Sequence, residues 1–495
     1  MTKWMTIFVL IFLFTSGSTS AQVFETYYGG NEDDGGRAVQ QTQDGGYIVA
    51  GYTRSLGSGG DDLYWVKTDT SGVMMWWRVF GGSGDETGYS IEETQDGDYI
   101  TAGYTSSSGA GGNDVLLIKT NASGGEIWSK TYGGSSSDVG YFAEATQDGG
   151  YIIVGTTNSF GAGGEDVYLI KTNSSGNSVW QKTYGDGGDD RGYQVHETQD
   201  GGYILAGYSN SWDAGSFDVY LIKTNSAGSL TWEKTFGGSN SDAGYSIQET
   251  QDGGYIIAGY SNSFGTSQID VYLVKTDSTG AESWSRTYGG AIYDLGYSVQ
   301  ETQDGGYIIA GMTESFGAGD YDAYLIKTNS SGDVVWDMTY GGTGADRGYA
   351  VQETQDAGYI IAGVTDSFGA GGIDVYLIKT DSNGSVGIGT DEPGSPDLPR
   401  SLALSQNYPN PFNPLTTIAF DIPGSAAGKA HVTLDIYDVR GRRVRELVNS
   451  WVDPGNHHIV WDGRNDGGRS VSSGIYLYTI RTESEELTRK MTLLK

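Results

Sequence analysis

The segment GYSIQETQDGGYIIAGYSNSFGTSQIDVYLVKTDSTGAESWSRTYGG, residues 244–290, is one complete unit of the pattern that decides the fold. Four apolar and aromatic runs stand out in it: GYSIQET, YIIAGYS, DVYLVKT and ESWSRTYGG. They are separated by QDGG, by a longer loop and by DSTG, and the glycines of these turns supply the positive φ that tight turns need. Because β-branched and aromatic residues favour strands, the segment predicts four short antiparallel strands.

This unit recurs every 52 residues. The aspartate of its TQDG turn, or of a near variant, recurs at Asp44, Asp96, Asp148, Asp200, Asp252, Asp304 and Asp356. A tryptophan follows 32 residues later at Trp76, Trp128, Trp180, Trp232, Trp284 and Trp336. Four strands in about fifty residues is the size of a β-propeller blade. The sequence therefore predicts an all-β, seven-bladed β-propeller in which the repeated tryptophans pack between blades.

The two ends of the repeat array supply one more strand. In the seventh unit, which begins at Gly348, the tryptophan register falls on Ile388 and the fourth strand is missing. Residues 23–30, VFETYYGG, match that strand, with Phe24 in the tryptophan register. We therefore expect the first strand of the mature chain to complete the last blade, which would close the ring and leave no open edge.

The first 21 residues have the features of a signal peptide. Lys3 is followed by an apolar run from Met5 to Phe14 and by small residues that end at Ala21. The run is too short to span a bilayer, and the alternative is a buried N-terminal strand. The chain has no Cys, so neither disulfides nor a lipid-modified cysteine can contribute. These features predict a secreted or cell-surface protein with no transmembrane segment.

The charge of the chain is strongly negative and unevenly distributed. Its formal net charge is −33, with 18 Lys and Arg against 52 Asp and Glu in residues 1–400 and 11 against 10 in the remainder. An acidic repeat region would repel phosphates, so nucleic acid is not an expected partner. Cations, basic proteins and neutral glycans stay open as ligands, and the simplest explanation of the charge is solubility outside the cell.

Two sets of residues mark a candidate binding face. The longer loops of each unit, between the second and third strands and between the fourth and first, should share one face of the ring. Aromatic residues stand in the first of these loops at Phe160, Trp212, Phe264, Phe316 and Phe368. They are candidate ligand-binding residues that suit stacking on sugars, and the alternative is that they anchor their own loops between blades.

Carboxylates should lie on the same face. One set starts the third strands, from Asp62 to Asp374. The other lies in the fourth–first loops, where Asp138, Asp190, Asp242, Asp294 and Asp346 are candidate calcium ligands. Strict repetition favours the alternative that each Asp accepts backbone N–H bonds within its own loop. Calcium is therefore a possible cofactor of this face, and no other cofactor is expected.

No motif of an enzyme is found in the repeats. They contain one histidine, His196, and no supporting triad, zinc or phosphate-binding motif. A single His among near-identical strands is interpreted as sequence variation. The protein is therefore expected not to be an enzyme, with a hydrolase or lyase that uses carboxylates of the propeller face as the alternative.

The composition changes after residue 390. Residues 391–400 form a linker, and residues 404–414 read LSQNYPNPFNP. The later pieces IYDVRGRRVREL, WDGRNDGG, SGIYLY and KMTLLK follow in order. Residues 401–495 closely resemble the type A sorting domain of the type IX secretion system of Bacteroidota. Alternating strands and turns indicate a small Ig-like β-sandwich.

The resemblance implies Sec export, passage through the outer membrane by the type IX machinery, and removal of residues 401–495 with release or attachment at the surface. The alternative is an ordinary Ig-like domain that stays attached. The expected domains are thus 1–21, 22–390, 391–400 and 401–495. The expected function is a secreted or cell-surface binding or adhesion propeller with a glycan or protein ligand, and a structural surface-layer component is a further alternative.

Overall fold

A computed structural model describes residues 23–386 except 212–215, 267 and 370, and residues 402–404, 407, 410, 412, 416–422, 429–452, 455–482 and 485–494. The predicted signal peptide, the linker and Trp212 lie outside these residues. The chain divides into two compact units, Met1–Ile388 and Gly389–Lys495. In the described part of the chain, no helix is long and apolar enough to cross a membrane.

The first unit contains, among its described residues, seven antiparallel sheets. Its strands are β1 (Phe24–Tyr28), β2 (Asp34–Gln41), β3 (Tyr47–Thr53), β4 (Asp62–Thr68), β5 (Met74–Phe80), β6 (Glu86–Gly88), β7 (Glu92–Glu93), β8 (Tyr99–Thr105), β9 (Asp114–Thr120), β10 (Glu126–Tyr132), β11 (Asp138–Ala145), β12 (Tyr151–Thr157), β13 (Asp166–Thr172), β14 (Ser178–Tyr184), β15 (Asp190–Glu197), β16 (Tyr203–Ser209), β17 (Asp218–Thr224), β18 (Leu230–Phe236), β19 (Asp242–Glu249), β20 (Tyr255–Ser261), β21 (Asp270–Thr276), β22 (Glu282–Tyr288), β23 (Asp294–Glu301), β24 (Tyr307–Thr313), β25 (Asp322–Thr328), β26 (Val334–Tyr340), β27 (Asp346–Glu353), β28 (Tyr359–Thr365) and β29 (Asp374–Thr380).

Each sheet contains the four strands that the repeat predicts. Five sheets are β2–β5, β11–β14, β15–β18, β19–β22 and β23–β26, and a sixth joins β8, β9 and β10 to the short strands β6 and β7. The two middle strands of each sheet are almost wholly buried, as in β20 and β21, whereas the fourth strand is largely exposed. This pattern arises because each sheet packs against a neighbour on both faces, and its apolar residues join those of the next sheet in one core. The architecture is consistent with a β-propeller.

The seventh sheet has the order β1–β29–β28–β27, so it combines the two ends of the first unit. Phe24 pairs with Lys379 and Tyr28 with Val375 in an antiparallel register. This is the pairing that the sequence predicts. The Tyr28 hydroxyl also donates a hydrogen bond of 2.5 Å to the carbonyl of Gly72 in the first sheet.

Neighbouring sheets are also joined at their fourth strands. The Trp180 ring lies over Gly228 of the next sheet so closely that a Cβ there would be 2.8 Å from it. The Tyr184 hydroxyl donates a 2.7 Å hydrogen bond to the carbonyl of the same glycine. Gly228 has a φ of +70°, which favours glycine at this turn. The predicted packing of the repeated tryptophans between sheets is thus confirmed, and each one contacts the turn of the following unit.

A lysine on each third strand anchors the TQDG turn. Lys171 is buried, and its Nζ donates to Asp148 at 2.8 Å and to the carbonyl of Thr172 at 2.9 Å. Partial burial opposes ionisation of Asp148, but the hydrogen bonds from Lys171 and Thr146 prevail and lower its pKa to about 2. The equivalent ion pairs are Lys67–Asp44, Lys119–Asp96, Lys223–Asp200, Lys275–Asp252, Lys327–Asp304 and Lys379–Asp356. The repeated TQDG motif is therefore explained by the need to pair a buried cation.

The second unit is a sandwich of two sheets. Its strands are β30 (Ala403–Leu404), β31 (Thr416–Ile422), β32 (Ala430–Asp438), β33 (Arg443–Val452), β34 (Gly455–Trp461), β35 (Gly474–Arg481) and β36 (Glu486–Leu493). They form the orders β30–β31–β34 and β33–β32–β35–β36. Trp461 is fully buried between the sheets, with Phe412 at 5.4 Å and Tyr476 at 5.3 Å between ring centroids. His457 and His458 belong to β34.

Candidate ligand-binding cavity

The first strands of the seven sheets surround a cavity of about 650 Å³. Every sheet of the first unit contributes side chains to its wall. The size is within the range typical of small-molecule sites, and such cavities with aromatic walls and a few convergent polar groups are the first place to look for a ligand. Of the aromatic residues and aspartates that the sequence singles out, those that the structure describes do not line this cavity.

Six tyrosines, one from each of six sheets, form a ring in the cavity wall. These are Tyr89, Tyr141, Tyr193, Tyr245, Tyr297 and Tyr349. Successive ring centroids are 5.2, 4.8, 5.0, 5.6 and 5.0 Å apart. We refer to these six residues as the tyrosine ring. Aromatic pairs at these separations attract one another, so the wall is fixed by its own contacts.

A β-bulge directs five of the six tyrosines into the cavity, all except Tyr89. In β15, Gly192 pairs with Gly207 and Gln194 with Ala206, so Tyr193 has no partner on β16. The same shift occurs in β11, β19, β23 and β27. A bulge changes the direction of the extra residue, which explains why adjacent residues such as Tyr193 and Gln194 both line the cavity.

The first sheet departs from the ring. At the same register it has Arg37, whose guanidinium carbon lies 4.3 Å from the ring centroid of Tyr349 and 5.6 Å from that of Tyr52. Arg37 thus takes the seventh position through cation–π contact. At this register the cavity wall therefore has six tyrosines and one cation.

A second departure from symmetry lies three residues further along the strands. Glu92, Glu144 and His196 occupy a register at which four other sheets have glutamine. His196 Nδ1 is hydrogen-bonded to Glu144 Oε2. The three residues line one side of the cavity, and we refer to them as the Glu–His cluster.

The hydrogen bonds around His196 define its tautomer. Gln194 Oε1 accepts the N–H of Ile247 at 2.9 Å, so the amide of Gln194 presents its NH₂ group to His196 Nε2 at 3.1 Å. In the neutral ring Nε2 therefore accepts and Nδ1–H donates to Glu144. Burial opposes protonation of His196, but the charge of Glu144 and its hydrogen bond prevail and raise the pKa of the imidazole.

The two glutamates differ in their environments. Burial, with the added repulsion of Glu144, raises the pKa of Glu92 to about 7, although the Ala145 N–H and the nearby His196 favour its ionised form. Glu144 has an imidazole at hydrogen-bonding distance, and Glu92 has no such partner among its hydrogen bonds to described residues. One side of the cavity therefore holds a carboxyl group that titrates near neutral pH beside a carboxylate paired with histidine.

These carboxylates share a structural task with the glutamines. Glu92 accepts the N–H of Ala145 at 2.8 Å and Glu144 that of Glu197 at 2.9 Å, each from the next sheet. Gln248, Gln300 and Gln352 make the same bond at 2.6 Å, the last to Gln41 of the first sheet. Because an amide serves equally well, the fold does not require the negative charge of Glu92 and Glu144.

The described aromatic residues of the predicted binding face each pack within their own unit. Phe160, Phe264 and Phe316 are each more than 40% exposed, and each packs on a tyrosine of its own unit at 5.7–5.8 Å between centroids. Phe368 lies 6.1 Å from Tyr376. These contacts hold the loops, while the exposed faces stay available to a ligand. Trp212, the fifth residue of this set, lies outside the described residues.

The predicted calcium ligands are buried within their loops. Asp138, Asp190, Asp242, Asp294 and Asp346 are all fully buried. In the third unit, Asp138 accepts hydrogen bonds from the Gly134 N–H at 2.8 Å and the Ser159 hydroxyl at 2.7 Å, and from Thr157. Among the described residues no group of three or more His, Cys, Asp or Glu side chains is placed to hold a metal ion. Calcium binding stays a prediction.

Sequence reasoning missed the cavity. The tyrosines were visible as part of GYSIQET, but alternation along a regular strand does not place Tyr and the next residue on one face. A single His among near-identical strands indicates sequence variation, and its partner Glu144 stands 52 residues earlier in the chain, so the pair is not visible in the sequence. The signal that could have found the site is a comparison of the repeats by register. It shows that four residues depart from the residue common at their position, namely Arg37, Glu92, Glu144 and His196.

The comparisons with known proteins concern parts of the chain. Residues 416–486 match the family of FlgD Ig-like domains. This match agrees with the two-sheet sandwich and with the expected Ig-like fold.

The other similarities to known proteins are remote. The regulatory protein FlaEY of Caulobacter vibrioides is 26% identical over 154 residues, which covers 25% of this chain and 16% of that protein. The solved structure of PorZ, described as a surface component of the type IX secretion system of Porphyromonas gingivalis, is 13% identical with a TM-score of 0.38, covering 94% of this chain and 60% of that one. Sqt1 from Chaetomium thermophilum is 10% identical with a TM-score of 0.42, covering 69% and 82%. Similarities of this size carry no functional inference.

Proposed function

We propose that the protein is a secreted or cell-surface binding protein whose first unit is a closed, seven-bladed β-propeller. Closure is supported by β1, which pairs with the last sheet while Tyr28 bonds to the first. It is also supported by Gln41, whose N–H donates to Gln352 Oε1 in the same way that other neighbouring sheets are joined. A ring of this kind has a central cavity by construction.

The ligand that this cavity fits best is a glycan. The observation that supports it is the tyrosine ring, which offers aromatic faces beside amide and hydroxyl groups of Gln194, Ser246 and Ser298. Sugars present apolar ring faces and many hydroxyls, so such a wall can stack and hydrogen-bond at once. A protein ligand that inserts one side chain into the cavity is the alternative within this proposal.

A binding experiment tests this proposal. The mature full-length chain is applied to a polysaccharide array, and hits are measured by calorimetry. Tyr193→Ala should weaken binding at least about tenfold. Stacking of a ligand ring on one aromatic side chain contributes about 1–3 kcal/mol to the free energy of binding. Phe264→Ala, on the outer face, should leave the affinity unchanged. The reverse result would move the site to the predicted aromatic face, and absence of any glycan ligand would overturn the glycan proposal.

A second candidate function is supported by the Glu–His cluster. A carboxyl group whose pKa burial raises to about 7, beside a carboxylate paired with histidine, is suited to acid–base cleavage of a polymer. To test this function, the protein is incubated with the same polysaccharides and the solutions are analysed for shorter products. If products form, Glu92→Gln and Glu144→Gln should abolish them while the fold is retained, since glutamine occupies this register in four sheets. Without products the protein is a binding protein and not an enzyme.

Export by the type IX system completes the proposal. The predicted signal peptide and the resemblance of residues 401–495 to the sorting domain support it, and the Ig-like match is compatible with it. The expected partner of residues 401–495 is the type IX machinery. A chain without residues 401–495 should accumulate in the periplasm of a type IX host, whereas the full chain should reach the surface or the medium. Equal secretion of both chains would contradict this part of the proposal.

A further inference from the structure

Arg37 is a cation in a place where six equivalent sheets have a phenol. The tyrosine register is occupied in every other sheet, so an aromatic residue at position 37 would suffice to complete the wall. The guanidinium is instead held against Tyr349, with its carbon 4.3 Å from the ring centroid. The substitution therefore adds a positive charge to the cavity without being needed for its shape.

No carboxylate neutralises this charge within the described part of the chain. Arg191 and Arg54 differ in this respect, because Arg191 is paired with Glu165 and Arg54 with Asp33 and Asp61. Arg37 is partly buried and contacts the Tyr349 side chain, and its Nε is buried without a hydrogen-bond partner. A guanidinium that faces a cavity with a buried, unbonded N–H and without a carboxylate partner can be paired by an anionic group of a ligand.

We propose that Arg37 binds the carboxylate of an acidic saccharide in the central cavity. This inference rests on the proposed glycan-binding function and names its ligand class. A guanidinium forms paired, charge-assisted hydrogen bonds with a carboxylate, and the adjacent tyrosines provide faces for the sugar ring.

The negative charge of the Glu–His cluster orients an acidic saccharide in the cavity and limits the charge that the saccharide can carry. The Glu–His cluster lies three residues further along the strands than Arg37 and repels anions. A saccharide carboxylate must therefore turn toward Arg37, while its hydroxyls can donate to Glu92 and Glu144. The same repulsion disfavours phosphate and other multiply charged groups, so a singly charged uronate fits best.

The test compares an acid with its uncharged ester. Methyl galacturonoside, which carries a single carboxylate, and its methyl ester are titrated by calorimetry into the mature full chain and into two variants. Arg37→Tyr restores the residue of the other six sheets, and Arg37→Met keeps an unbranched stem without charge. The wild type should bind the acid at least about tenfold more tightly than the ester, and both variants should lose this preference. Both should melt near the wild-type temperature, which shows that the fold is intact.

The outcomes separate this inference from the proposed function. Equal binding of acid and ester by the wild type, or an unchanged preference in Arg37→Tyr, would overturn the role of Arg37 while leaving glycan binding in place. If neither saccharide binds, acetate serves as the probe. A rise in melting temperature with acetate in the wild type, absent in both variants, would support an anion site at Arg37, and identical responses would overturn it.

Discussion

A mature chain that lacks residues 23–30 should be less stable than the intact chain by at least about 5 kcal/mol, or fail to fold. The deletion removes β1 and with it Tyr28, which is 7% exposed and belongs to a core shared with the first sheet. Loss of one buried aromatic side chain costs about 3–5 kcal/mol, and the backbone pairing with β29 is lost as well. Urea unfolding followed by tyrosine and tryptophan fluorescence measures the difference.

The control for this deletion is Tyr28→Phe. Phe80 and Phe236 occupy the same register in two other sheets, so this variant should lose only the hydrogen bond to Gly72, about 1 kcal/mol. A synthetic peptide of residues 23–30 should bind the deleted chain and recover part of its stability, because β29 presents an unpaired edge. A deletion no more harmful than Tyr28→Phe would show that β1 does not hold the ring together.

The sequence predicted the parts of the fold that the repeat determines. The strands of residues 244–290 are found as β19–β22, and VFETYYGG pairs with β29 as its register indicates. Burial of the middle strands on both faces follows from their continuous apolar runs. These features depend on local composition and period, and seven copies of one pattern leave little ambiguity.

The cavity depends on information that a strand pattern does not contain. Tyr245 and Ser246 are neighbours in sequence and should face opposite sides of a regular strand, yet both line the cavity because of the bulge after Gly244. His196 and Glu144 meet because their sheets are adjacent. The predicted ligands were instead chosen for exposure in loops, and Asp138 and its equivalents are fully buried. Departures from a repeat thus indicate the site better than its most regular residues do.

The bulge also explains why the second strand of each repeat contains a glycine. Replacement of one of these glycines should therefore strongly lower the stability of the protein. Gly207→Ala should destabilise the protein by at least about 3 kcal/mol. A Cβ at residue 207 would lie 1.6 Å from the carbonyl oxygen of Arg191 on β15, and backbone atoms cannot move aside without breaking the pairing of the two strands. Overpacking of this kind typically costs about 1–3 kcal/mol even when side chains can adjust.

The matched control is Gly187→Ala in the same unit. A Cβ at residue 187 meets nothing within 4 Å, and its backbone does not have a positive φ, so its effect should stay within about 1 kcal/mol. Urea midpoints of the two variants are compared with that of the wild type. Equal midpoints for Gly207→Ala and Gly187→Ala would show that the strands can separate at the bulge. In that case the tyrosine ring would not be rigidly held, and a preformed cavity would lose its main physical support.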